Sequence, residues 1–144
     1  MSAAPEAAVN LHATAVALDA ARGVLILGRS GAGKSALGLE LMALGAQLVS
    51  DDRVDVARRD GALWASAPAA IRGRIEARGI GLLEAPPLDT ARLVLVVDLD
   101  RPEPDRLPPH RVTEILGISL PLVFSAQGCS PAAILQYLKG RRVA

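Results

Sequence analysis

The sequence predicts an α/β fold built around a phosphate-binding loop, and three features support that prediction. The first is the octapeptide Gly28 to Ser35, which fits the pattern G-x-x-x-x-G-K-[ST]. The second is the apolar run Gly23 to Leu27 before it, which has the length of a buried strand. The third is the Ala- and Leu-rich stretch from Lys34 to Leu44, which predicts a helix that ends at Gly45. Strand, loop and helix therefore follow one another in the order that such a loop requires.

The residue types of this loop suit the binding of a nucleotide phosphate. Glycines let the backbone turn sharply and aim several N–H groups at one anion. Lys34 supplies a cation for the outer phosphates, and the Ser35 hydroxyl is a ligand for Mg²⁺. The positive end of the following helix dipole points the same way. We therefore predict nucleotide binding by the whole loop: Gly28, Arg29, Ser30, Gly31, Ala32, Gly33, Lys34 and Ser35.

Length and composition indicate one domain over residues 1–144. The 16 Lys and Arg residues nearly balance the 15 Asp and Glu residues, and the formal net charge is +1. So small a net charge gives no reason to expect nucleic acid, which demands clustered Lys and Arg, and the basic ending Lys139 to Arg142 is better explained as the C-terminus of a helix. No apolar run approaches the roughly 20 residues of a membrane span, and the first residues lack the basic start of an export signal. For these reasons we expect no membrane partner. The single cysteine, Cys129, excludes an intrachain disulfide, which suits a reducing compartment, and we expect a cytoplasmic location.

A hairpin is predicted to lead into the phosphate loop. Leu11 to Leu18 alternates larger and smaller side chains as a strand does, and Asp19 to Arg22 can turn it back into the strand before the loop. Residues whose numbers sum to about 41 then pair, which sets His12 beside Gly28 and Arg29. A single histidine on a strand is most often structural, and a contact with phosphate is the alternative that this geometry opens.

Two aspartates end the next predicted strand. Ala46 to Ser50 is followed directly by Asp51 and Asp52. Phosphoryl transfer to a hydroxyl needs an oxygen ligand for Mg²⁺ and a carboxylate that orients the hydroxyl and takes its proton. Neighbouring strand residues point to opposite faces, so one aspartate could face the metal and the other a substrate. A turn-capping role is the alternative, and Asp98, after the apolar run Leu93 to Val97, competes for the metal role on spacing alone.

The remaining elements are mostly strands. The dipeptide Asp60-Gly61 predicts a tight turn between the strands Arg53 to Ala57 and Ala62 to Ala65. A final helix is predicted to begin with Ser130 as its N-cap and to end at Gly140.

A charged strand lies between these elements. In the segment Ile75 to Leu83, Glu76 and Arg78 are two positions apart and precede a glycine-rich turn. On one strand face, such a pair could bind metal through the carboxylate and phosphate through the guanidinium. A cross-strand ion pair beside a turn would have the same sequence.

Taken together, these segments resemble the catalytic domain of bacterial HPr kinase/phosphorylase, which acts on a serine of the phosphocarrier protein HPr. The resemblance covers roughly residues 11 to 100. The aspartate pair after a G-x-x-L-V strand and the E-x-R-G-x-G segment are specific to this family, whereas the phosphate loop is shared by many. The matching segments are Leu11-His12, Gly28 to Ser35, Gly45 to Val54 and Glu76 to Gly81.

The resemblance implies a P-loop kinase with a phosphoenolpyruvate-carboxykinase-like mixed β-sheet. It implies transfer of phosphate from ATP, with Mg²⁺, to a serine of HPr or an HPr-like carrier, and a hexameric assembly. It also favours the aspartate pair over Asp98, with Asp51 and Asp52 supplying the base and a charge near the metal. The other implied roles are Mg²⁺ binding for Ser35, Asp52 and Glu76, contact with the transferring phosphate for Lys34 and His12, and support of that site for Arg78.

The sequence departs from the family pattern in three places. Full-length members carry an additional N-terminal domain, so this chain resembles a short, single-domain variety without a regulatory domain. Ala36 replaces the acidic residue that usually follows G-K-S. The segment Val123 to Pro131 has no arginine where the family carries the one tied to dephosphorylation. We therefore expect weak or absent phosphorylase activity; the alternatives are a kinase of a small metabolite and a nucleotide-binding module without catalysis.

Overall fold

The protein, described here by a computed structural model over residues 6–127 and 130–144, combines a large mixed β-sheet with two helices packed on one face. The helices are ten residues long, and no helix among these residues is long and apolar enough to cross a membrane. The elements are β1 (Ala7–Leu11), β2 (Ala13–Asp19), β3 (Arg22–Leu27), α1 (Lys34–Ala43), β4 (Gln47–Ser50), β5 (Val54–Arg59), β6 (Ala62–Ser66), a 3₁₀ turn (Ala69–Ile71), β7 (Arg74–Ala77), β8 (Gly81–Glu84), β9 (Ala91–Asp98), β10 (Arg111–Ile115), β11 (Ile118–Phe124) and α2 (Pro131–Gly140).

The predicted hairpin before the phosphate loop is present as β2 and β3. Ala13 pairs with Leu27 and Val16 with Val24, so paired residue numbers sum to 40 over most of the hairpin. The predicted start of the strand at Leu11 is wrong: Leu11 ends β1, which pairs with β5. The chain changes partner from β5 to β3 at this point, and the strand therefore breaks at His12.

Sheet order brings several strand ends to one edge. The large sheet runs β1-β5-β6-β9-β3-β2-β4, and β11 also pairs with β9. β3 and β9 are parallel, with Leu27 beside Asp98, so the loops that follow them are neighbours. β2 and β4 are antiparallel, with Ala15 beside Ser50, so the end of β4 lies beside the start of β2.

Two apolar clusters occupy the two faces of the central strands. Large side chains on one face, including Val16, Ile26 and Leu95, pack against α1 and α2. On the other face, small side chains such as Ala15 pack against the cluster that includes Val56. The alternation of larger and smaller side chains in β2 therefore assigns each kind to a different core.

Helix α1 sits very close to the sheet. A Cβ on Gly38 would lie 3.0 Å from Cγ2 of Thr14 and 3.5 Å from Cδ1 of Ile75. The helix begins after Gly33 and is followed by Gly45 in a left-handed conformation, φ 112°. This is the C-terminal glycine that the sequence predicted.

β7 and β8 form a small hairpin apart from the large sheet. The buried Ile75 side chain of β7 contacts the core beneath α1. The sequence predicted Glu76 and Arg78 on one strand face, but β7 ends at Ala77, and Arg78 lies in the turn before β8. The chain turns here because Gly79 adopts a φ of 82°, which suits a turn and not a strand.

Candidate active site

Most of the predicted site residues line one cavity of about 550 Å³ at the end of the central strands. Side chains in the cavity wall come from the phosphate loop, from the strand ends and from the β7–β8 hairpin. The predicted residues that line it are His12, Ser30, Gly31, Gly33, Lys34, Ser35, Asp51, Asp52, Glu76 and Arg78. Gly28, Arg29 and Ala32 are the predicted loop residues that do not line it, and Thr14, Ala36, Leu39, Ala77 and Ile80 complete its wall.

The glycines of the phosphate loop either have positive φ angles or leave no room for a Cβ, so a larger residue would be strained at these positions. Gly31 and Gly33 have φ values of 84° and 102°. A Cβ on Gly28 would lie 3.0 Å from Cβ of Ala32 and 3.2 Å from Cβ of Leu99. The turn and the close approach to Leu99, the residue after β9, therefore both depend on glycine.

Lys34 is buried inside the loop, with 7% of its surface exposed. Its Nζ donates hydrogen bonds to the carbonyl oxygens of Gly28 at 2.7 Å and Arg29 at 3.0 Å. A buried ammonium group needs such partners because burial without them is costly. The carbonyls thus fix the cation within the loop at the cavity wall.

Asp51 is the hydrogen-bonding centre of the site. Its surface is 4% exposed, and its Oδ1 accepts from Oγ of Ser35 and from Oγ1 of Thr14, both at 2.7 Å. Its Oδ2 accepts from the backbone N–H of Glu76 at 3.0 Å. One carboxylate therefore ties together α1, β2 and β7.

Asp52 has a different environment from its neighbour. Its side chain is 70% exposed, and its carboxylate lies 3.3 Å from Nε2 of His12. The backbone N–H of Ala13 donates to the carbonyl of Asp52 at 3.3 Å, which extends the β2–β4 pairing to this point. Asp52 has a φ of 74°, which Asp tolerates better than most residues. The Asp52 carboxylate and the His12 imidazole thus meet at the mouth of the cavity.

The β7–β8 hairpin supplies Glu76 and Arg78 to the cavity. Both side chains are exposed and line the cavity. Nη2 of Arg78 lies 3.8 Å from where a Cβ on Gly31 would be, so the guanidinium reaches the tip of the phosphate loop. The cross-strand partner of Glu76 is Leu82, and β8 has no Lys or Arg with which Glu76 could form the cross-strand ion pair that the sequence left open.

Asp98 does not line the cavity, although the sequence allowed it to compete with the aspartate pair. Its Oδ1 accepts from the backbone N–H of Asp100 at 2.8 Å. The Asp100 carboxylate in turn accepts from the backbone N–H of Arg29 at 3.0 and 3.1 Å and from Nη1 of Arg29 at 3.1 Å. Asp98 and Asp100 therefore anchor the outer side of the phosphate loop.

Sequence reasoning missed Thr14 and Asp100. Thr14 is a single hydroxyl residue within the apolar run Ala13 to Val16, two positions after His12, and a polar residue in a buried strand needs a partner. The sequence therefore contained a signal for Thr14. Asp100 stands in a polar loop beside several other charges, and only the parallel pairing of β3 with β9 shows which of them reaches Arg29.

The segment Val123 to Pro131, which lacks the family arginine, begins in β11 and ends at the first turn of α2. Gly128 and Cys129 lie outside the described residues. Two arginines lie over the Phe124 ring, Arg101 from the loop after β9 and Arg111 from β10, with guanidinium carbons 5.5 Å and 4.4 Å from its centroid. Neither lines the cavity: Arg101 faces Asp98 at 3.7 Å, and Arg111 is paired with Glu103.

Comparison with known proteins gives consistent matches. Residues 5–123 match the family model described as HPr Serine kinase C-terminal domain. The HPr kinase/phosphorylase of Aromatoleum aromaticum is 44% identical over 110 aligned residues, which cover 67% of this chain and 35% of the relative. That of Lactococcus lactis subsp. lactis is 54% identical over 63 residues, covering 43% and 20%.

A solved structure of the Hpr(Ser) kinase/phosphatase from Coxiella burnetii has a TM-score of 0.74 and 28% identity, and the match covers 91% of this chain and 92% of that one. The chain spans about a third of the length of the first of these curated relatives and less of the second. The mixed α/β architecture predicted from the sequence is confirmed by this structural match.

Proposed function

The chain belongs to the HPr serine kinase C-terminal domain family, and from this premise we propose that it transfers phosphate from ATP to a serine of HPr or an HPr-like phosphocarrier protein. One observation carries the proposal. A single cavity joins a phosphate-binding loop, with Lys34 and Ser35, to the exposed carboxylate of Asp52. Donor and acceptor of a phosphoryl group would need these two halves side by side.

The donor set of the cavity fits Mg²⁺ bound together with ATP. Ser35, Asp51 and Glu76 offer the oxygen ligands that Mg²⁺ prefers. Among the described residues, no group of three or more His, Cys, Asp or Glu residues forms a metal site by itself. This fits Mg²⁺, which is usually held by one or two carboxylates plus the phosphates of its nucleotide. When bound, the ion would neutralise charge on the phosphates.

Of the two aspartates, we assign the role near Mg²⁺ to Asp51 and not to Asp52. Asp51 already accepts from the Ser35 hydroxyl and is fixed by two further donors. A carboxylate with three donors holds its position and orients Ser35. The hydrogen bond from the Glu76 N–H to Asp51 also holds β7 next to the loop.

We assign the activation of the substrate serine, which accepts the phosphoryl group, to Asp52 and His12. Asp52 is the exposed carboxylate of the pair, so a serine on a protein surface could reach it. Asp52 would accept the serine proton as the oxygen attacks, and His12 would hold the Asp52 carboxylate in place. Lys34 and Arg78 would balance charge on the phosphate.

We also propose that the reverse, phosphate-dependent reaction is weak or absent. The arginines nearest to Phe124 are engaged with Asp98 and Glu103 and lie away from the cavity. Neither therefore replaces the family arginine that this sequence lacks. The expected hexamer, the cytoplasmic location and the single-domain organisation stay predictions.

Incubation with labelled ATP, Mg²⁺ and purified HPr tests the proposal. We expect label on a serine of HPr, and little release when phosphorylated HPr is given inorganic phosphate instead. Transfer to small metabolites only, or ATP binding with no transfer, would support the two alternative functions and contradict this one. Fast phosphate-dependent release would contradict the proposed one-way activity alone.

A further inference from the structure

Asp100 contacts the phosphate loop from outside the catalytic cavity. It stands two positions after Asp98, the last residue of β9 and the parallel partner of Leu27. The N–H of Leu99 donates to the Leu27 carbonyl at 2.9 Å, so the chain after β9 runs beside the start of the loop. Both carboxylate oxygens of Asp100 then accept from the backbone N–H of Arg29, at 3.0 and 3.1 Å. The carboxylate therefore reaches the loop backbone directly.

The peptide group that joins Gly28 to Arg29 is held from both sides. Its N–H donates to Asp100, and its carbonyl oxygen accepts from Nζ of Lys34 at 2.7 Å. Among the described residues no peptide bond is cis, so this group is planar and trans, and its N–H and C=O point in opposite directions. A bond that fixes the N–H therefore fixes the carbonyl as well. Asp100 thus acts on Lys34 without touching it.

The backbone bond, and not the ion pair beside it, is the part of this contact that positions the loop. Nη1 of Arg29 also donates to Asp100 at 3.1 Å, but the two side chains are 75% and 40% exposed. An exposed ion pair contributes little, because water screens it and the long arginine side chain must be held still. In addition, the negative charge of Asp100 repels a phosphate in the loop. Any benefit of Asp100 to phosphate binding must therefore come from its effect on the backbone.

We propose that Asp100 is a positioning residue of the phosphate loop. From outside the cavity it fixes the peptide between Gly28 and Arg29, so that the Gly28 carbonyl holds the ammonium group of Lys34 at the cavity wall. Lys34 is then in place before a phosphate arrives, which is the condition for strong stabilisation of phosphate charge. The consequence for ATP rests on the proposed function, whereas the effect on Lys34 is measurable with no nucleotide present.

The side-chain ammonium groups give a direct measurement. The chain has two lysines, the buried Lys34 and the exposed Lys139, so NMR of isotope-labelled protein can distinguish their signals. Without nucleotide, we expect the Nζ protons of Lys34 to exchange with water at least about fivefold faster in Asp100→Ala than in wild type, as for the loss of one charge-assisted hydrogen bond. Exchange at Lys139 should not change. Asp100→Asn keeps a neutral acceptor for the Arg29 N–H and should give an intermediate rate.

ATP binding gives a second measurement, in which charge and position predict opposite signs. If charge were the only effect, Asp100→Ala would bind ATP more tightly, because a negative charge is removed. The positioning role predicts binding weaker by about tenfold. Asp105→Ala is the matched control: Asp105 is exposed in the same loop, and its carboxylate forms no hydrogen bond with the phosphate loop in the part of the chain that the structure describes. It removes the same charge and should neither speed Lys34 exchange nor weaken ATP binding.

Arg29→Met separates the ion pair from the backbone bond, since it removes the guanidinium and keeps the N–H; Lys34 exchange should stay close to wild type. Unchanged Lys34 exchange in Asp100→Ala, equal acceleration in Arg29→Met or Asp105→Ala, or tighter ATP binding by Asp100→Ala would overturn the proposal. If Asp100→Ala does not fold, as judged by circular dichroism, Asp100→Asn carries the test, and wild-type exchange of Lys34 in that variant would overturn it. Failure of wild type to bind ATP or to phosphorylate HPr would contradict the proposed function alone.

Discussion

Asp51 and Asp52 are neighbours with identical side chains just after β4, and their surroundings differ because the backbone turns at Asp52. Asp51 continues from β4 into the interior and meets three hydrogen-bond donors. Asp52 turns out of the strand with a φ of 74° and faces the cavity mouth beside His12. Backbone geometry at one residue thus separates an internal anchor from an accessible carboxylate.

Asp52→Asn tests the acceptor role. The amide cannot take up the serine proton, so we expect the turnover of HPr phosphorylation to fall by about 100-fold or more. ATP should bind with little change, because Asp52 is not bonded to the phosphate loop. Initial rates and nucleotide affinity, measured separately, check this; a loss of ATP affinity at unchanged turnover would contradict the assignment.

Asp51→Asn tests the anchor role, with Asp52→Asn as its matched control. The new side-chain amide would turn an N–H₂ group toward donors that now point at a carboxylate. We expect the free energy of unfolding to fall by about 2 kcal/mol, since each buried group left unsatisfied costs about 1–3 kcal/mol. Asp52→Asn, at an exposed position, should change it by less than about 0.5 kcal/mol. Urea unfolding of both variants measures the difference, and equal effects would refute it.

At the scale of elements, the phosphate loop depends on what holds its two ends. β3 delivers the chain to Gly28, where β9 and Asp100 restrain the outer side. α1 receives it at Lys34 and is held against β2 through the close contact at Gly38. The position of the loop therefore depends on neighbours that are distant in sequence.

Gly38→Ala tests the contact between α1 and β2. Alanine favours a helix over glycine by roughly 1 kcal/mol, but its Cβ would be pressed against the Thr14 methyl group. Overpacking typically costs about 1–3 kcal/mol, so we expect a net loss of stability and weaker ATP binding. Gly140→Ala in α2, where a Cβ would meet Gln136 at 3.6 Å, is the control and should not destabilise the protein. Thermal unfolding with and without ATP measures both; a stabilised Gly38→Ala would show that the contact is loose.

The turn of the β2–β3 hairpin predicts a dependence of stability on pH. A hydrogen bond from the Arg22 guanidinium, with Nε 3.0 Å from Oδ2, lowers the pKa of Asp19 below its ordinary value, and the same contact raises the pKa of Arg22. Because the folded pKa of Asp19 is depressed, the stabilisation is complete above the ordinary aspartate range. It is lost as pH falls below about 4 through the folded pKa.

Asp19→Asn should therefore lower the thermal midpoint at pH 7, and the difference from wild type should shrink as pH falls toward 2. The amide keeps the shape of the side chain and its ability to accept from Ala21 N–H. Thermal unfolding of the two proteins across this range measures the effect. A difference independent of pH would show that the ion pair contributes nothing to it.

At the scale of the whole molecule, the sheet is organised around β9. This strand pairs with β3 along its length, with β6 at its start and with β11 at its end. The two apolar clusters lie on either side of it, and most of its residues are buried. β7 and β8 pair only with each other among the described residues, and all four residues of β8 are exposed.

Hydrogen exchange should reflect this organisation. We expect the backbone amides of β3 and β9 to exchange slowest, by global unfolding, and those of β8 to exchange much faster, by local opening. Native-state exchange followed by NMR measures the order. Protection in β8 equal to that in β9 would contradict it and would indicate that the β7–β8 hairpin opens only with the whole protein.

The sequence alone determined the segments with strong local signals. The phosphate loop, α1 with its terminal glycine, the Asp60-Gly61 hairpin and α2 with its Ser130 N-cap are all present. Each is specified by residues close together in the chain, through turn conformation, capping or apolar spacing. The turn also predicted the hairpin register to within one residue, since paired residue numbers sum to 40 and not to 41 over most of the hairpin. His12 lies outside β2, and its predicted place beside Gly28 and Arg29 stays a prediction.

Only the tertiary structure decided which side chains share the site and how each is used. The burial of Asp51, the exposure of Asp52, the contact of Thr14 and the outward placement of Asp98 all depend on strands paired over long separations in sequence. The break at His12 has the same origin, because β1 and β2 take different partners. Residue type and spacing give the chemistry that is available, whereas burial and hydrogen bonding, which long-range packing sets, assign each group its role.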